Sequence, residues 1–138
     1  MMSEIPTIPT QTAPDHTSYV PTSPAQIASV MRASLFEAIG DDAHELAAEL
    51  ATAMLDGVPR GLAAIATAIT LGDSWLVGRE AHALKGSSSS MGLDGLAGLC
   101  DRIEAAATAG RLDAARLHLD ELSAEFIVTA GVLAELVR

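Results

Sequence analysis

The chain has 138 residues, 49% of them hydrophobic but only 3% aromatic, with a formal net charge of −10 at pH 7. That is one domain's worth of sequence, with a core to be built from Ala, Leu, Ile, Val and Met. A surface this negative repels phosphate backbones and anionic lipid, which argues against nucleic acid and membrane as partners. No basic region followed by an apolar stretch opens the chain, and no apolar run is expected to reach the ~18–20 residues of a membrane span. Cys100 is the one cysteine, so no internal disulfide can form. The expectation is a soluble, cytoplasmic protein.

Residues 1–23 are rich in Pro, Thr and Ser with little apolar periodicity, and are expected to form a disordered or extended N-terminal tail. From residue 24 to 138 the pattern is helical and repeatedly punctuated. Gly40, Gly72, Gly92 and Gly110 are each followed within three residues by an aspartate: Asp41, Asp73, Asp94 and Asp113. Glycine suits the left-handed residue past a helix end, and aspartate suits the N-cap of the next helix. Gly57 with Pro59 reads as one more junction. Helices are therefore predicted near 24–39, 41–56, 58–71, 74–91, 94–109 and 113–137. Val58, Leu62, Ile65 and Ile69 line one helix face, as do Leu96, Leu99, Ile103 and Ala106. Leu119, Leu122, Phe126, Thr129, Leu133 and Leu136 line another. With such short links the reading is all-α: an antiparallel up-and-down four-helix bundle with an additional N-terminal helix or helices.

The stretch AHALKGSSSSMG, from Ala81 to Gly92, looks at first like a serine linker, yet it contains the chain's one lysine. Wound as a helix it sorts cleanly. Val77, Ala81, Leu84, Ser88 and Met91 form an apolar-to-small stripe, with Ser87 and Ser88 hydroxyls in reach of the preceding turn's carbonyls. His82 points the other way, into solvent, among Trp75, Gly78, Arg79, Lys85, Gly86 and Ser89. Gly78 and Gly86 sit one turn before and after His82, each costing a helix about 1 kcal/mol relative to alanine. The gain is access: bare backbone lets a partner or a bulky phosphoryl group approach the imidazole, and Lys85 sets a positive charge on the same face.

Residues 79–104, REAHALKGSSSSMGLDGLAGLCDRIE, resemble histidine-containing phosphotransfer (HPt) domains. That family's signature is A-H-x-L-K-G-S, then small residues, a glycine and an L-x-x-L-C/A-x-x-L-E helix. The resemblance extends over roughly residues 33–136. It implies that His82 is the phosphoacceptor, that Lys85 stabilises the phosphoryl group and that Gly86 keeps the histidine accessible. Ser87 takes the family's small or hydroxyl position and Gly92 the helix-ending glycine. Leu96, Leu99, Cys100, Ile103 and Glu104 fill the next helix's pattern, with Ile103 where leucine is usual. Gly78, Arg79 and Ser89 are candidates for partner docking, although Arg79 reads equally as a solvated charge.

The implied function is a stand-alone phosphocarrier in a multistep His–Asp relay. It takes a phosphoryl group from a receiver-domain aspartate and passes it to another, with response-regulator receivers and a hybrid sensor histidine kinase as partners. An ordinary imidazole, pKa about 6.5, is mostly neutral and nucleophilic at pH 7. Nothing in the chain resembles a nucleotide-binding loop or an acidic Mg²⁺ site, so no ATP-dependent kinase activity and no cofactor of its own are expected. Mg²⁺ would come with the receiver. The alternative is a module of the same fold that docks a kinase or receiver without phosphotransfer; retention of both His82 and Lys85 favours the carrier. His16 lies in the tail, and His44 and His118 have no carboxylate or histidine at i+4 arranged as a metal pair. Cys100 reads as a small core residue and Asp41–Asp42 as a cap. A monomer is expected, because the apolar periodicity is consumed within the bundle.

Overall fold

Three glycines set the helix boundaries in the way their positions predict. Gly72, Gly92 and Gly110 adopt φ of 75°, 73° and 73°. In each case the following N–H closes the finished helix: Asp73 donates to Ala68, Leu93 to Ser88 and Arg111 to Ala106, at 2.9, 2.9 and 2.8 Å. A side chain at Gly92 would also collide with Ser34.

The computed structural model describes residues 19–39 and 43–137. Within them are α1 (Pro24–Ile39), α2 (Ala43–Leu71), α3 (Ser74–Ser90), α4 (Asp94–Thr108) and α5 (Leu112–Val137), with no strand. The expected tail up to residue 18, His16, the Gly40–Asp41 junction and the Asp41–Asp42 pair lie outside the described residues, as does the side chain of His44. Asp73 caps α3 as predicted, its carboxylate accepting from the Leu76 N–H at 3.1 Å. Asp94 and Asp113 fall instead inside the first turns of α4 and α5, where negative charge still favours the helix N-terminus.

The junction predicted at Gly57–Pro59 is absent: α2 runs unbroken for 29 residues with Pro59 inside it. An interior proline forfeits one backbone hydrogen bond and costs about 3 kcal/mol. The apolar face outweighs that local signal. Ala47, Ala51, Met54, Val58, Ile65 and Ala68 are all buried on one continuous stripe through the proline. Unbroken, the segment Glu45–Leu71 is long and apolar enough by composition to cross a membrane. Cutting it at Gly57 hid that length. It presents one buried stripe and packs against three other helices of the bundle.

The helices α2, α3, α4 and α5 pack in a ring, each against the next and α5 against α2, while α1 lies on α5 and α2. Leu96, Leu99, Ile103, Leu122, Phe126 and Leu133 join the α2 stripe in the core. Cys100 is buried among them, and burial pushes its thiol up to about 12. The helix α5 also carries polar groups inward. Glu125 is buried, and its Oε1 accepts from the Tyr19 hydroxyl at 2.7 Å and the Thr22 N–H at 2.9 Å. Residues 19–23, assigned with the tail, thus run outside any helix yet are fastened to α5.

Candidate functional site

The twelve residues AHALKGSSSSMG are helix, not linker, up to Ser90. Val77, Ala81, Leu84, Ser88 and Met91 are all buried, so the predicted stripe is the one that faces the bundle. The Ser87 and Ser90 hydroxyls donate to the carbonyls of Ala83 and Gly86. Placing that stripe inward forces the other face of α3 outward. The His82 side chain is 69% exposed there.

His82 is nevertheless held. Its Nδ1 lies 3.1 and 3.3 Å from the two carboxylate oxygens of Glu104 on α4. A carboxylate only accepts, so the contact suits a proton on the ring nitrogen facing it, which in the neutral ring leaves the lone pair on Nε2. One turn along α3, Lys85 Nζ donates to Asp101 Oδ1 at 2.8 Å. This bond, and then the charge of the partner, raises the Lys85 ammonium above its ordinary value and lowers the Asp101 carboxyl below its own. The four side chains form two parallel rungs between α3 and α4.

The rungs follow from counting. The turn between the helices spans 91–93, and about its last residue, Leu93, His82 lies eleven residues before and Glu104 eleven after. Lys85 and Asp101 are eight before and eight after. Asp101 and Glu104, three apart, share the solvent face of α4, opposite Leu96, Leu99 and Ile103. The sequence pattern assigns Glu104 only a place in the α4 signature and gives Asp101 no role. The signal that finds them is this equal spacing about an antiparallel turn.

An open cavity of about 440 Å³ lies beside the imidazole, lined by Trp75, Gly78, Arg79, His82, Glu104 and Ala107 among others. Of the proposed docking residues, Gly78 and Arg79 line it. Lys85, Gly86 and Ser89 lie farther along α3 and do not. A Cβ at Gly86 would point into open space, and one at Gly78 would lie 3.6 Å from Ala107. Neither glycine is required by packing. Trp75, to which the sequence assigned nothing, is 69% exposed, with the Arg79 guanidinium 5.4 Å from its ring centroid. His118 is elsewhere and buried, its Nδ1 2.7 Å from Glu121 at i+3. Among the described residues no group of three or more His, Cys, Asp or Glu is placed to hold a metal ion.

A family model described as the Hpt domain matches residues 31–130. Among solved structures the chain is similar to histidine-containing phosphotransfer protein B (HptB) from Pseudomonas aeruginosa PAO1. The two are 28% identical with a TM-score of 0.67, over 76% of this chain and 88% of that one. No curated protein matches the chain.

Proposed function

The chain belongs to the Hpt domain family, and on that footing we propose that His82 is its phosphoacceptor. Members of this family are phosphocarriers rather than kinases, and they work with the receiver domains and histidine kinases of two-component systems. The chain's role is accordingly that of a phosphorelay carrier. The ring of four helices reads as an antiparallel up-and-down bundle occupying most of 24–138, with α1 as the additional helix.

The observation that carries the assignment is one exposed imidazole whose Nδ1 faces the Glu104 carboxylate, which in the neutral ring leaves Nε2 as the nucleophile. Nε2 attacks phosphorus in line as the bond to the receiver's aspartyl oxygen breaks, and the electron pair leaves with that carboxylate. The Nδ1 proton stays, and the positive charge developing on the ring faces the Glu104 carboxylate. Lys85 offsets phosphoryl charge, and Gly86 leaves the approach open. Return transfer to a second receiver runs the same step backward. Gly78, Arg79 and Ser89, joined by Trp75, form the docking face. The chain makes no phosphate from ATP in this reading and holds no cofactor. Mg²⁺ arrives with the receiver, and the protein acts as a cytoplasmic monomer without nucleic acid or membrane.

The test is transfer of label from ATP through candidate kinase–receiver pairs to wild type and His82→Gln. Acid-labile, base-stable label on wild type alone is the expected result. Label on both proteins would move the acceptor elsewhere, and binding without label would leave a docking module.

A further inference from the structure

The assignment of His82 leaves the second rung unexplained. Lys85 is the one lysine of the chain, it sits three residues from His82 on the same helix face, and its ammonium is already occupied by Asp101 at 2.8 Å. The nearby cation Arg79 lies over Trp75. The ammonium that is to meet a phosphoryl group on His82 must therefore be shared with a carboxylate or taken from it.

We propose that Asp101 is a positioning residue for phosphoryl transfer: it holds Lys85 while His82 is bare, and competes for Lys85 once His82 is loaded, keeping the phosphoryl group ready to leave. This rests on the assignment of His82 above. The Asp101 side chain is 63% exposed and that of Lys85 38%, and an ion pair so open to water is held weakly. A phosphoryl dianion one turn away draws the ammonium toward itself. Asp101 and Glu104 then stand beside it as two negative charges, and one ammonium is divided between phosphoryl and carboxylate. Such a site stores phosphate poorly and passes it on well. When the phosphoryl group departs, the N–P electron pair returns to Nε2, and Lys85 falls back to Asp101.

The experiment uses the whole chain labelled at lysine only, so that one NMR signal reports Lys85. Wild type, Asp101→Asn, Lys85→Met and the double variant are phosphorylated with potassium phosphoramidate, whose P–N bond breaks with release of ammonia as the bond to Nε2 forms. Loss of the phosphohistidine to water is followed by ³¹P NMR. In the bare protein Asp101→Asn should move the lysine signal, and in wild type phosphorylation should move it again. Asp101→Asn should lengthen the phosphohistidine lifetime about two- to fivefold, the scale of one exposed ion pair, and this gain should vanish in the Lys85→Met background. An unchanged lifetime overturns the proposal, as does an equal gain without Lys85 or a lysine signal blind to phosphorylation. A bare-state shift in Asp101→Asn with no phosphohistidine in any variant would instead overturn the assignment of His82.

Discussion

At the residue scale, Glu104 decides which nitrogen of His82 is free. Without it both tautomers are populated, the ring turns about χ1 and χ2, and a charge that stabilises the phosphorylated imidazolium is lost. Both partners are partly in water, His82 at 69% and Glu104 at 32% side-chain exposure, so the contribution is modest. Glu104→Ala should slow phosphorylation by phosphoramidate about three- to tenfold while leaving the thermal midpoint nearly unchanged, measured as initial rate and melting curve side by side. Glu104→Gln, which can still accept through its amide oxygen, should recover part of the rate.

At the scale of the helix, α3 sacrifices stability for approach. Gly86 is helical, its Cβ direction is empty, and nothing in the packing forbids alanine there. Gly86→Ala should therefore stabilise the fold by about 0.5–1 kcal/mol, raising the melting temperature by a few degrees. It should at the same time slow transfer from a receiver domain more than transfer from phosphoramidate. Calorimetry and paired rates measure the two effects. This trade is legible from GREAHALKG alone, because glycines flanking an exposed histidine have no local rationale. The α2 junction was not legible: Pro59 and Gly57 are strong local breakers, and only the burial of Met54, Val58 and Ile65 on one stripe shows that tertiary packing overrides them. The Glu104 and Asp101 rungs lay between these cases, invisible to a scan for motifs yet implied by the hairpin's arithmetic.

At the scale of the whole molecule, residues 19–22 act as a clasp on the bundle, and composition could not reveal it. The stretch around Tyr19 reads as tail because its partner, Glu125, is more than a hundred residues away, buried on α5. Burial first, and then the hydrogen bond to Glu125, raise the Tyr19 phenol above its usual value near 10. A raised folded-state value means the clasp's contribution is complete below about pH 10 and is lost as pH climbs through the folded value. Tyr19→Phe should cost about 1 kcal/mol in denaturant unfolding at pH 8 and less at pH 11. Tyr19 is the only tyrosine, so tyrosinate absorbance follows its ionisation directly, and its midpoint should lie above 10.

The equal spacing about Leu93 also makes the α3–α4 hairpin a pair of calipers. The His82–Glu104 rung stands eleven residues from the pivot and the Lys85–Asp101 rung eight, lever arms of about 16 and 12 Å at 1.5 Å per residue. A hinge motion that parts the inner rung by 1 Å parts the outer by about 1.4 Å. A partner that wedges α3 from α4 would loosen the imidazole before it loosens the lysine.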